Sequence, residues 1–293
     1  MTILSDLKEQ FRRGTTLLKL IYINAAVFII MAILQIIAVL TNNPVISSSV
    51  IAFLAVPASF SSLILKPWTI VTYMFLHEGF FHVLFNMLWL YWFGRIFSDY
   101  FDQKKLVSVY ILGGLSGALL YILSFNIFPA FSEVINVSIA LGASASVMAI
   151  VVATAAYVPD YSVHLFLIGR VKIKYIALGI FLLTSIFDFS VNTGGKIAHI
   201  GGAIFGYAYA IRYRQGKDTG KWINNIIDSI ATWFKPKKNM KVSYKKPMTD
   251  LEYNKMKADH QQQINKILEK ISKGGYDSLT KEEKEILFKE SQK

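Results

Sequence analysis

The sequence predicts an all-α polytopic membrane protein: six transmembrane helices in a bundle, with a partly embedded first loop and a short helical cytoplasmic tail. Three observations carry this. Hydrophobic residues make up 54% of the chain and charged residues only 17%, where a soluble domain is nearer a quarter charged. Several uninterrupted apolar runs approach the ~20 residues that cross a bilayer. Basic residues are also unevenly placed. Lys8, Arg12, Arg13, Lys19, Arg95, Lys104, Lys105, Arg170, Lys172, Lys174 and Arg212 fall on one set of termini and loops, and only Lys66 and Lys196 on the other. Positive charge marks the cytoplasmic side, so both termini are expected there and the number of spans is even.

The elements follow in order. Residues 1–16 are a polar, basic cytoplasmic segment. The run Leu20 to Leu40 is too long for a signal-peptide core, and Thr41-Asn42-Asn43-Pro44 is a poor cleavage site, so it is expected to stay as the first span. Residues 45–79 are broken by Pro57 and Pro67 and are expected to form a loop dipping into the interface, covered by other protein. The second span is expected over Phe80 to Phe97 and the third over Leu106 to Phe128, with Gly113 and Gly117 as a close-packing pair. The fourth is expected over Ile139 to Val158, the fifth over Ile173 to Phe189, and the sixth over Ile197 to Tyr213 with a Gly202/Gly206 GxxxG pair. The core is thus 17–213.

Residues 214–249 form an interfacial segment and linker. Trp222 to Phe234 carries one apolar stripe bracketed by tryptophans, which suits a helix lying in the membrane interface or one packed on the bundle. Lys235, Lys237, Lys238, Lys241, Lys245 and Lys246 make the linker 235–246 a contact for anionic headgroups or a merely solvated stretch. Residues 250–293 are expected to form two short helices around Gly274-Gly275, the second opened by a capping box at Thr280 and Glu283. The net charge is +12, and residues 214–293 hold 18 Lys+Arg against 11 Asp+Glu. No nucleic-acid motif accompanies that charge, so the membrane surface is the expected partner. Cysteine is absent, which excludes disulfides, a thiol nucleophile and thiolate metal sites. No metal or cofactor is expected.

The chemistry centres on Leu141 to Ile150, LGASASVMAI. Ser144 opens an apolar run in which Ala145, Ala149 and Ala153 recur four apart, on one helical face that another backbone can approach. Alone, this serine reads as a cap or packing residue. Its company changes that reading. Intramembrane polar residues are costly, yet His77, His82, Asn86 and His199 all fall near helix starts expected on the same, non-cytoplasmic side. Serine is a weak nucleophile and needs a neighbouring base, which His199 can supply. The oxyanion needs donors, and the Ser144 backbone N–H, the Asn86 amide and the His82 imidazole are available.

The motifs His77-Glu-Gly-Phe-Phe-His82-Val-Leu-Phe-Asn86, Gly142-Ala-Ser144-Ala and Ala198-His199-Ile-Gly-Gly202-Ala-Ile-Phe-Gly206 resemble those of the rhomboid intramembrane serine proteases of the six-helix bacterial type. The resemblance implies a catalytic dyad of Ser144 and His199, with His82 and Asn86 at the oxyanion hole and a structural role for His77. It also implies cleavage of transmembrane protein substrates near the non-cytoplasmic boundary, and residence in the bacterial cell membrane as a multi-pass protein. Ala145 stands in place of a glycine of that pattern, Met148 in place of a frequent aromatic, and Thr69 in place of the arginine of a Trp-Arg signature that Trp68 resembles. Asp188 reads as interfacial because the family uses a dyad. Two other classes are weighed: a catalytically inactive rhomboid-like scaffold that binds client proteins, which retention of Ser144 and His199 disfavours, and a transporter or channel. The transporter predicts charges along a continuous path, whereas the polar residues here cluster on one side.

Overall fold

The apolar stretches of the first 215 residues fold mainly as helix in the computed structural model, which describes residues 9, 11–166, 168–187, 189–233 and 248–291. The fourth expected span departs at its start, where Ile139–Ala140 is strand and helix begins at Ser144. In order these are α1 (Thr16–Leu40), α2 (Val45–Leu54), β1 (Val56–Pro57), α3 (Phe60–Leu65), α4 (Thr69–Thr72), α5 (Phe80–Tyr100), α6 (Gln103–Ile127), β2 (Ile139–Ala140) and α7 (Ser144–Tyr157). The hairpin β3 (Ser162–Leu165) and β4 (Gly169–Lys172) follows, then α8 (Ile173–Phe181), which continues as a π-helical turn over Leu182–Ile186. After it come α9 (Thr193–Arg214) and α10 (Lys221–Trp233). Among the described residues, α1 and α6 are long and apolar enough to cross a membrane. α5 carries Arg95 and Asp99, and α9 is diluted by glycines and three basic residues, which lowers their apolarity. Asp188 and the linker 235–246 lie outside the described residues.

Local chemistry sets the helix ends. The Thr15 hydroxyl accepts from the Leu18 N–H, Asp102 from the Lys105 N–H at 2.8 Å, and Asn192, at φ 51°, from the Gly195 N–H. Each such cap is worth about 1 kcal/mol.

The expected loop between α1 and α5 is built of short helices tied to the bundle. Its β1 pairs antiparallel with β2, Val56 opposite Ala140. The last carbonyls of α2, which a helix leaves without donors, are taken up in turn. Lys66 Nζ donates to Ala52 O at 3.0 Å, Trp68 Nε1 to Phe53 O at 2.8 Å and Thr72 Oγ1 to Leu54 O at 2.7 Å. Tyr73 then donates to Gly114 O at 2.6 Å, and Tyr110 to Met74 O at 2.9 Å. The missing arginine beside Trp68 therefore leaves no loose loop, because Lys66 and Thr72 share the anchoring.

The centre of the bundle is a backbone-to-backbone contact. A methyl group on Gly202 would run into the Ala145 carbonyl, and one on Gly206 into the Ala149 carbonyl. Across the other face of α7, methyls on Gly113 and Gly117 would strike the Ala149 and Ala145 side chains. The alanine stripe of α7 is thus clasped between glycines of α6 and of α9.

α10 packs through Ile223 and leaves Trp222, Ile226 and Ile227 exposed, with Asp228 accepting from Lys104 at 2.7 Å. One edge of the described part of this stripe packs and the other faces outward; Phe234 lies outside the described residues.

Residues 248–291 belong to a separate compact unit. It holds α11 (Asp250–Gly274) and α12 (Lys281–Ser291). The first of the two expected short helices is in fact 25 residues long. It opens on its own capping box, Thr249 with Glu252. The expected box is present at α12, where the Thr280 N–H donates to Glu283 at 2.7 Å and the Glu283 N–H to Thr280 at 3.3 Å. Ile264, Ile267 and Leu279 are buried.

Candidate active site

Ser144 is the first residue of α7. The approach to it is β2, whose register on β1 fixes where the helix begins. Gly142 then bonds its N–H to Tyr73 O at 2.9 Å and turns the chain at φ +127°, a conformation glycine adopts without a Cβ penalty. No side chain caps α7, so N–H groups of its first turn, including that of Ser144, have no intrahelical acceptors.

Gly142 also keeps a space open. A methyl there would lie 3.1 Å from His82 Nε2 and 3.4 Å from Ser144 Oγ. The imidazole of His82 and the hydroxyl of Ser144 therefore flank the position that a Gly142 side chain would fill, adjacent to the start of α7.

His82 and Asn86 sit four residues apart on α5. Asn86 is buried, 7% exposed, and its Nδ2 donates to His82 O at 2.9 Å, which leaves the amide a second N–H. His77 is 6% exposed and lies edge-on to His82, with ring centroids 5.2 Å apart. Neither of its nitrogens has a hydrogen-bond partner among the described residues. It packs against the site and does not enter it.

His199 stands in the second turn of α9, and its Nδ1 lies 3.1 Å from the main-chain oxygen of Thr184 in the π turn after α8. Ser144, His199, His82 and Asn86 all line one cavity of about 280 Å³. Its other walls are Phe81, Phe85 and Trp89 of α5, Val147, Met148 and Val151 of α7, and Ile180 and Thr184 of the α8 segment. The four polar residues singled out by sequence thus share one site. No hydrogen bond joins Ser144 to His199 directly among the described residues.

The sequence reading missed the apolar walls and Thr184. Phe81, Phe85 and Trp89 are spaced four apart beside His82 and Asn86, so one helical face was open to detection. Thr184 acts through a backbone oxygen, which has no sequence signature.

Comparison with known proteins bears on the family of the chain. The family model of the rhomboid domain matches residues 65–216, and that of a family of unknown function (DUF6576) matches residues 249–293. The chain is 28% identical over 161 residues to an Arabidopsis thaliana protein described as RHOMBOID-like protein 12, mitochondrial. That match covers 51% of this chain and 47% of the relative, so it spans about half the relative's length. With more than half of its residues matched to the rhomboid domain, and Ser144, His82, Asn86 and His199 inside the matched region, the chain belongs to the rhomboid family, a family of membrane proteins.

Proposed function

We propose that this protein is an intramembrane serine endopeptidase that cleaves transmembrane protein substrates near the non-cytoplasmic membrane boundary. The observation that carries the reading is the single cavity lined by Ser144, His199, His82 and Asn86. The bundle is read as six spans, α1, α5, α6, α7, the α8 segment and α9, within residues 17–213. Both termini then lie on the cytoplasmic side of what the resemblance implies is a bacterial cell membrane. Residues 214–249 are read as interfacial helix and linker, with 235–246 against anionic headgroups, and 250–293 as the tail.

The steps follow from the groups in the cavity. His199 Nε2 takes the Ser144 proton as Oγ attacks the scissile carbonyl. The oxyanion forms in the space that Gly142 leaves open, against the His82 imidazole, the second Asn86 N–H and the Ser144 main-chain N–H. The imidazolium then protonates the leaving amine, and water releases the acyl group by the same route in reverse. A substrate helix must unwind to present its carbonyl, so segments rich in glycine and proline cost least.

The lack of a direct Ser144–His199 hydrogen bond favours a second reading, a catalytically inactive rhomboid-like scaffold for client membrane proteins. One experiment decides. The purified chain is treated with a fluorophosphonate probe and with a reporter membrane substrate. Labelling and cleavage that vanish in Ser144→Ala and in His199→Ala, at unchanged expression, support the protease. Cleavage retained in either variant removes the dyad, and no Ser144-dependent labelling favours the scaffold.

A further inference from the structure

His199 is held from α8. A carbonyl only accepts hydrogen bonds, so the 3.1 Å contact with Thr184 O places the proton on Nδ1 and leaves the Nε2 lone pair for Ser144. We infer that the C-terminal turn of the α8 segment is the positioning group for the base, with the Thr184 carbonyl fixing the tautomer and ring orientation of His199. That is the work a buried aspartate does in a Ser-His-Asp triad. The inference rests on reading His199 as the general base. It adds a residue to the machinery that the three sequence motifs do not contain.

Four features of the turn support it. First, no carboxylate hydrogen-bonds His199 among the described residues, so the Thr184 oxygen is the acceptor that Nδ1 has. Second, Thr184 lies two residues before the end of the helical segment at Ile186, among the last carbonyls that a helix leaves without donors. Third, the winding there is π, with the Phe187 N–H on Leu182 O at 3.0 Å. Such single-turn π segments recur at functional sites because they re-aim backbone groups. The Thr184 hydroxyl donates back to Ile180 O at 2.8 Å, which engages the side chain along the helix and leaves its main-chain oxygen to His199. Fourth, the C-terminal end of a helix is its negative pole. A proton taken from Ser144 makes an imidazolium, and that cation then faces the negative end of the α8 segment. A buried carboxylate is not needed to balance it.

The same turn walls the substrate cavity.

The test is a tautomer measurement on the full-length chain in lipid nanodiscs, with ¹⁵N-labelled histidine assigned through His199→Gln. The expected spectrum has neutral His199 with its proton on Nδ1, the reverse of the preference of free imidazole. A proton predominantly on Nε2 overturns the inference. A second arm replaces the amide between Thr184 and Ser185 by an ester, which weakens the Thr184 carbonyl as an acceptor. A control ester between Ser185 and Ile186 removes a neighbouring helical N–H and spares that carbonyl. The first ester is expected to mix the tautomers and lower kcat about tenfold with KM unchanged, and the control to do neither. Equal losses in both, or none in the first, overturn the inference. The tautomer is read without substrate, so its failure is distinct from an absence of Ser144-dependent labelling, which would instead remove the proteolytic reading.

Discussion

Two seams meet at the cavity, and they are built in opposite ways. Between α7 and α9 the backbones touch, because Gly202 and Gly206 face the carbonyls of Ala145 and Ala149 with no side chain between. Between α5 and the α8 segment the contact is made by large side chains around open volume. The site cavity of about 280 Å³ lies there, and a second of about 680 Å³ continues past Trp89 toward the β3–β4 hairpin. Phe81, Phe85 and Leu183, on these two elements, are all more than half exposed. The tight seam carries Ser144 and His199 and fixes where their backbones stand. The loose seam carries His82, Asn86 and the acceptor for His199, and on the proposed reading it supplies the room for a substrate strand.

If that division is right, the largest effect comes from prising the tight seam apart. Gly202→Val places a branched side chain against the Ala145 main chain, where no rotamer avoids it. Overpacking costs about 1–3 kcal/mol in cores with room to adjust, and a backbone neighbour puts this site at the upper end. The expected outcome is a lowered Tm in detergent together with loss of Ser144-dependent probe labelling. A variant that melts like wild type and labels normally would mean that the seam does not position the pair.

Next come substitutions that leave the seam intact and alter the oxyanion space. Gly142→Ala puts a methyl 3.1 Å from His82 and forces an L-residue to φ +127°. Asn86→Ala removes the amide. Each is expected to lower kcat about 10²–10³-fold, measured by reporter cleavage. Labelling of Ser144 by a small probe should persist in Asn86→Ala. An unchanged rate there would make Asn86 a residue that merely braces α5 through its bond to His82 O.

The contrast between the seams also explains what could be read in advance. The tight seam is written in residue types. Gly202, Gly206 and the alanines at 145, 149 and 153 fall at helical spacing, and small residues at that spacing have few purposes other than close approach. The four polar site residues were legible for a related reason: a histidine or asparagine in an apolar run is expensive and calls for an account. The β1–β2 pairing was not legible, since two two-residue strands far apart in the chain leave no period to detect. Nor was the π turn, which is a matter of winding among ordinary apolar residues. The anchoring of α2 by Lys66, Trp68 and Thr72 was hidden because its acceptors are main-chain carbonyls.

On the loose seam, smaller effects are expected. Phe85 is 53% exposed and lines the cavity. Phe85→Ala should change stability by no more than about 0.5 kcal/mol, as for other exposed positions. It should instead shift KM and the preferred residue at the cleavage site, measured by competition between substrates that differ at that residue. A large fall in Tm would move Phe85 into the structural core and blur the distinction between the seams.

The smallest effect is expected where the loose seam is tethered at its far end. Asp160, in the turn after α7, accepts from Lys172 at 2.9 Å and from Lys174 at 3.1 Å, and so ties that turn to the start of α8. The hydrogen bonds from Lys172 and then Lys174 hold its carboxyl below the ordinary carboxylate value. A pKa lowered by folding means that the tether contributes fully above the unfolded value. The contribution fades as pH falls through the folded one. The groups are fully exposed, so the effect is local and weakened by salt. At neutral pH and low salt, Asp160→Asn should speed amide hydrogen exchange in the β3–β4 hairpin and the first turn of α8, and leave α7 and α9 as they are. As pH falls through the lowered carboxyl pKa, wild type should converge on the variant. Faster exchange that spreads into α9 would show that the two seams are mechanically joined and that the tight one does not stand alone.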